Sequence, residues 1–316
     1  MPNGLTFATA EEQKHALTAE AEACILENYK QWSQDIQVEI DRLSEMDSFS
    51  AGVKKAYYEE MLQRMEGYTY QLGQGVYTEV EQDIYRIADY VREDNVNWWQ
   101  SVGWSNMGGF SSLPTDIVQN ITSGSVYGGD WSLSGAIWNL EGKHMQDIRD
   151  ILAKGVAENM SSYDIAKALE QYVNPGAEKP WDWSKVYPGT SKKVDYNAQR
   201  LARTLIQHAY QQSLETVCRE NPFVEKYIWR SAHTDRTCDI CADMDGQEFG
   251  KGDVPLDHPN GLCYLEPVTA DRAETIDRLA TWVNGAEDLD LDRYANDMLA
   301  RHYNIPAPNG TVNGKN

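Results

Sequence analysis

The chain is short of the residues on which whole classes of protein depend. It has 5 cysteines in 316 residues, too few for a disulfide scaffold. No apolar run approaches the ~20 residues that span a bilayer, and a mean hydropathy of −0.61 reads as a water-soluble chain. The stretch Met1 to His15 lacks a basic segment followed by an apolar block, so no signal peptide is expected. Positive charge is scarce. Lys and Arg number 28 against 49 Asp and Glu, a formal net charge of −21. Proteins that coat nucleic acid by bulk charge must neutralise phosphates, so that class is excluded, whereas a local basic strip is not. There is no G-x-S-x-G, no Walker sequence and no G-x-G-x-x-G, which removes the common hydrolase and nucleotide-binding signatures. Phe is rare at 5, while Trp and Tyr reach 10 and 18, a balance suited to protein contacts.

Hydrophobic periodicity predicts a fold that is α+β, mostly α. From about residue 10 to 46, apolar residues recur every three or four positions at Leu17, Ala21, Ile25, Tyr29, Trp32, Ile36, Ile40 and Leu43, one stripe of one long helix. Turn formers at 47–52 interrupt it, and a second stripe runs Val53, Tyr57, Met61, Met65, Tyr68, Leu72, Val76, Val80, Ile84, Ile87 and Val91. Gly73 and Gly75 are expected to kink this second helix. Residues 1–100 therefore read as a helical hairpin with arms of roughly 50 Å, extending away from any compact body. Between Glu11 and Asp94 there are 19 acidic and 8 basic residues; most fall off the stripe and mark a solvated face.

Residues 101–142 are rich in Gly and Trp and read as loops with short elements, either packed or folding on a partner. Residues 143–222 return to helix. His144 to Ala157 is periodic, and Ser161-Ser162-Tyr163-Asp164 resembles a capping box that opens a helix ending at Pro175. After a polar connection over 174–196, a strongly amphipathic helix begins. Ala198, Leu201, Ala202, Leu205, Ile206, Ala209 and Val217 share one face, and Arg200, Arg203, Gln207 and Gln211 share the other. His208 lies off the main stripe and reads as a surface or half-buried residue. Residues 223–270 switch to β character, with strands at 224–230, 247–249 and 263–267 around an Asp245-Gly246 turn. Residues 271–316 revert to acidic helices and a tail expected to be disordered.

The chemical signal lies in the β segment: Cys238-x2-Cys241-x16-His258-x4-Cys263. Clustered thiols without a secretion signal favour metal over disulfide. Three thiolates and an imidazole suit tetrahedral Zn(II), and a Cys3His set leaves no position for water, so the zinc would be structural. The competing reading is a group of buried, unliganded thiols. Cys24 and Cys218 fall on helical stripes and read as inert core residues. His233 is an alternative ligand by its closeness to Cys238.

These residues also resemble a family. Trp229, Thr237-Cys238-Asp239-Ile240-Cys241, the Asp245-Gly246-Gln247 turn, His258-Pro259-Asn260, Cys263 and Pro267 look like the phage Mu F-like head morphogenesis proteins, the minor capsid proteins of tailed phages and prophages. Arg200, Arg203 and Thr204 are similar to that family's entry into the module. The usual ending is HPNCRC; here Gly261 and Leu262 stand in place of the first cysteine and the arginine, and the outer cysteine, Cys263, is retained as the fourth ligand. The resemblance is specific over 197–268 and looser over 141–196. It implies a component of the virion or procapsid, made in the bacterial host cytoplasm. Its partners would be the portal protein and other capsid components, with no membrane and no catalysis, in head assembly or in DNA packaging and delivery. A zinc-stapled HNH-like nuclease with His258 as general base, and a host zinc-binding adaptor, are the alternatives. The most basic stretch, with Lys185, Lys192, Lys193, Arg200 and Arg203 among aromatic residues, is a candidate for weak, sequence-independent DNA contact, or for pairing with acidic surface in this chain or a portal subunit.

Overall fold

The computed structural model describes residues 5–46, 51–105, 108–158, 160–173, 195–233 and 237–302. Most of the elements are helices: α1 (Ala8–Ser44), α2 (Ala51–Ser101), α3 (Leu113–Ser123), α4 (Leu133–Ala157), α5 (Ser162–Val173) and α6 (Tyr196–Arg219). They lead into β1 (Val224–Arg230), α7 (Asp239–Met244), β2 (Glu248–Phe249) and β3 (Tyr264–Thr269), and the described chain closes with α8 (Arg272–Val283) and α9 (Leu289–His302). The fold is α+β and mostly α, as the periodicity implies. The expected end of the helix at Pro175, the lysines Lys185, Lys192 and Lys193 and the C-terminal tail lie outside the described residues.

The chain divides into two compact units that interleave in sequence. One takes residues 1–17, 83–120 and 204–316, the other 18–82 and 121–203. In the second unit, the expected α1 and α2 stripes are the buried ones, from Ala21 to Leu43 and from Met61 to Val80, except that Tyr57 and Tyr68 are half-buried and Val53, at the start of α2, is exposed. At about 1.5–3 kcal/mol for each large apolar side chain fully buried, these stripes are the main favourable term holding this unit. Here the expectation of a free-standing hairpin fails, because α4 and α5 cover these stretches. Thr69 Oγ1 reaches Met145 Sδ at 3.3 Å, and Trp32 lies against His144 and Tyr172. The glycines do not end the helix. Helix α2 runs unbroken through them, and a Cβ at Gly73 would fall on the Glu141 carboxylate, so the glycine admits a close neighbour.

The Gly- and Trp-rich stretch is more ordered than its composition suggests. Leu113, Ile117 and Ile121 form a buried i, i+4, i+8 stripe on α3, and α4 starts at Leu133 behind an N-cap, Ser132, whose hydroxyl accepts from Gly135 N–H at 3.1 Å. Of its tryptophans, Trp104 and Trp131 make ring contacts, whereas Trp138 is exposed. In the first unit Trp99 stacks on Tyr294 at 4.9 Å and Trp104 on Trp282 at 5.4 Å. The Ser161 cap is present, with Asp164 N–H donating to Ser161 Oγ at 3.0 Å.

The sheet has order β2-β1-β3, antiparallel throughout. Trp229 pairs with Leu265 and Tyr227 with Pro267; a proline is tolerated because β3 is an edge strand. Gly246, at φ 79°, makes the turn in which its N–H reaches the Trp229 carbonyl at 2.8 Å, the positive φ that glycine permits.

His144 sits buried in an aromatic cage of the second unit. Its Nε2 lies 2.9 Å from the Tyr29 hydroxyl and its Nδ1 3.0 Å from the Tyr172 hydroxyl. The Tyr172 proton goes to Asp147 Oδ2 at 3.1 Å, so Nδ1–H donates to Tyr172, and Nε2 accepts from Tyr29. Burial, with the Lys143 charge adding to it, pushes the imidazole pKa from 6.5 down to about 3. Between those values the unfolded state holds a proton that the folded state refuses, so stability is complete above pH 6.5 and falls as the pH drops. Urea unfolding should show wild type losing up to about 1.4 kcal/mol per pH unit more than His144→Gln across this window; parallel profiles would contradict the assignment.

Candidate metal centre

Two loops flanking the sheet build the site. After β1 the chain reaches Cys238, whose extended backbone caps α7. Its Sγ accepts from Cys241 N–H at 3.5 Å, the turn that sets both sulfurs of a C-x-x-C pair on one side. That N–H donor stabilises the thiolate and holds the Cys238 pKa below the ordinary thiol value. The second loop precedes β3. Asn260 takes a left-handed φ of 68°, which asparagine tolerates, and its N–H donates to Thr204 Oγ1 at 2.9 Å. Gly261 N–H closes the turn on the His258 carbonyl at 2.9 Å.

The result is convergence. His258 Nε2 lies 3.3 Å from Cys238 Sγ and 3.1 Å from Cys241 Sγ. Its Nδ1 is 3.0 Å from the Pro259 carbonyl; a carbonyl only accepts, so Nδ1 carries the proton and Nε2 turns its lone pair to the sulfurs. That same carbonyl bond raises the His258 pKa. Two donor groups overlap: Cys238, Cys241 and His258, and Cys241, Asp257 and Cys263, each with its ligand atoms within 4.8 Å of one another. Cys241 belongs to both. Burial raises the thiol pKa of Cys241 and of Cys263, so a nearby cation is what would make these thiolates stable at neutral pH. A cavity of about 80 Å³ lies beside Cys241, His258 and Cys263. It offers room for an ion and is far below the ~300–1,000 Å³ of small-molecule sites. The cluster of Cys238, Cys241, His258 and Cys263 could therefore hold a metal ion.

The support beneath these donors comes from helix α6 and from Lys14. Gln207 and Gln211, on the polar face of α6, are buried: Gln207 Nε2 donates to Asp257 Oδ2 at 3.2 Å and Gln211 Nε2 to the Pro255 carbonyl at 2.6 Å. His208, expected at or near the surface, is also buried, with Nε2 2.9 Å from the Asp257 carbonyl, and burial lowers its pKa. Lys14 is buried with Nζ 4.5 Å from the Tyr210 ring centre; burial brings its pKa down to about 8, against the pull of Glu11, Asp257 and Cys263. Gln207 and Gln211 share the polar face of an amphipathic helix with Arg200 and Arg203, so spacing alone gives no sign that a loop covers them.

The remaining candidates lie apart from the cluster. His233 is exposed, with Nε2 3.3 Å from Asp245 Oδ2. Cys218 is buried and Cys24 half-buried. Of the basic strip, Arg200 is exposed on α6, while Arg203 pairs with Glu22 at 2.6 Å and is largely withdrawn from solvent. No family model, no curated protein and no solved structure matches the chain.

Cys241→Ser removes the sulfur common to both donor groups. Because a bound structural metal contributes directly to folding free energy, this variant should lose amide-exchange protection across 224–269 and keep it in α4 and α5. Unchanged protection in 224–269 would contradict a metal-dependent module.

Proposed function

We propose that the protein is a minor capsid, or head morphogenesis, component of a tailed phage or prophage. It acts at the portal in head assembly or in DNA packaging and delivery, and its β module is stapled by one structural zinc. The observation that carries this reading is the convergence of Cys238, Cys241 and His258, with Cys263 joined to them through Cys241, on the segments that carry the family resemblance. Three sulfurs and one imidazole nitrogen are the donor set that zinc prefers over harder cations. Tetrahedral bonds of ~2.3 Å to sulfur and ~2.0 Å to nitrogen would set sulfur and nitrogen roughly 3.5 Å apart, a few tenths of an ångström beyond the distances from His258 to Cys238 and Cys241. Bound zinc supplies thiolate stabilisation and a cross-link between the two loops.

Four protein donors would complete the tetrahedron and leave the centre no open position, and the family resemblance implies no catalysis. A nuclease would need His258 free to take a proton from water. Its Nε2 faces two sulfurs and its Nδ1 a carbonyl, which disfavours that role. The partners are the portal protein and other capsid components, and the location is the phage head. DNA contact, if made through Lys185, Lys192, Lys193 and Arg200, is weak and sequence-independent, because the net charge of −21 repels phosphate.

Coexpression with a portal protein from the same genome tests the reading. The two should copurify as a portal assembly of fixed stoichiometry. Failure to associate, together with a gene neighbourhood lacking portal and major capsid genes, would contradict it and favour a host adaptor.

A further inference from the structure

We infer that Asp257 is the positioning residue of the metal centre and that Gly261 is the residue that makes room for it; this rests on the zinc reading above. Asp257 stands immediately before the ligand His258 and is 4% exposed. Oδ1 accepts the His258 N–H at 2.8 Å, and Oδ2 accepts the Cys263 N–H at 3.0 Å and Gln207 Nε2 at 3.2 Å. Two of these donors are the backbone amides of two expected ligands. One carboxylate thus fixes how far His258 stands from Cys263.

Helix α6 holds Asp257 in turn. Its N–H donates to Gln211 Oε1 at 2.9 Å, and its carbonyl meets His208 Nε2 at 2.9 Å. The buried ammonium of Lys14 attracts both Asp257 and Cys263, giving the withdrawn carboxylate a counter-charge. The chain of support runs from α6, through Asp257, to two of the four donors.

Gly261 completes the device. A Cβ built there would fall on the carboxyl carbon of Asp257 and on both its oxygens. A carboxylate at the end of a free side chain would swing away at little cost. This one is buried and bound by three N–H donors, so any side chain at 261 breaks those bonds. The glycine is needed for the space, not for its backbone freedom.

Asp257 also lies within 4.8 Å of the donor atoms of Cys241 and Cys263, close enough that a direct metal bond is the rival role. Its oxygens already serve three donors, which places it behind the ligands and not among them. Outer-sphere residues of this kind orient the ligands and tune the metal.

The test uses the full chain as wild type, Asp257→Asn, Gly261→Ala and the double variant. Zinc affinity is measured by competition with a chromophoric chelator, and the ligand set by the visible spectrum after cobalt(II) substitution. Asp257→Asn keeps the size but presents an N–H₂ where an oxygen accepted, so zinc affinity should fall about 10–100-fold. Gly261→Ala should fall similarly. Since both act through one carboxylate, the double variant should be no weaker than the worse single one. The cobalt spectrum should keep its tetrahedral thiolate bands in every variant.

Three results would overturn the inference: Asp257→Asn binding zinc within about twofold of wild type, additive losses in the double variant, or a changed cobalt ligand field in Asp257→Asn, which would make Asp257 a ligand. If Asp257→Asn does not fold, Gly261→Ala, which retains every donor and the carboxylate, decides alone: wild-type affinity refutes the role. A wild type that takes up no zinc overturns both this role and the zinc reading, whereas zinc bound equally by all variants overturns only the role.

Discussion

Two loops separated by 16 residues between Cys241 and His258 have to deliver sulfur and imidazole to a point a few ångströms across. The rest of the module is arranged around that requirement. Strand β1 lies between β2 and β3, so the C-x-x-C turn that follows β1 and the loop that enters β3 reach the same region. The Asp245-Gly246 turn ties the far side of α7 back to Trp229, and Asp245 Oδ1 accepts the Ser231 N–H at 2.8 Å. The three short strands bury Val224, Tyr227, Trp229 and Leu265. A metal bound by the two loops would cross-link them and add to that packing.

Buried polar groups are the second recurring theme. In the first unit Gln207, His208 and Gln211 of α6 face the loop that carries His258. In the second unit His144 bridges two tyrosines, and the buried Glu39 carboxylate joins Arg42 and Arg64 at 3.1 and 2.7 Å. Each of these groups would be costly unpaired and each has partners. Such sites specify one packing arrangement, because a shifted helix would strand a charge or a donor that an apolar core would tolerate. The α1 and α2 stripes supply bulk burial; these contacts fix the register.

What the sequence made legible followed from strong periodic signals. The α1 and α2 stripes, the Ser161 cap, strand β1, the Asp245-Gly246 turn and the four donors were all readable, because spacing alone reports them. What stayed hidden depended on tertiary neighbours. Gly73 looks like a helix breaker until the Glu141 carboxylate occupies the space beside it. Gln207 and Gln211 look solvent-facing until a loop some 50 residues later covers them. Helix α3 was obscured because the glycines around it lowered the apparent helix signal, although Leu113, Ile117 and Ile121 carried the right period. Gly261 looks like an ordinary turn glycine until the Asp257 carboxylate occupies the space where its side chain would lie.

The central claim is that Cys238, Cys241, His258 and Cys263 hold one zinc ion without solvent. X-ray absorption at the zinc edge, on protein purified without chelators, tests it most directly. The account predicts a four-coordinate shell of three sulfurs at about 2.3 Å and one imidazole nitrogen at about 2.0 Å. A shell dominated by oxygen, or one with two sulfurs and an open water position, would contradict it.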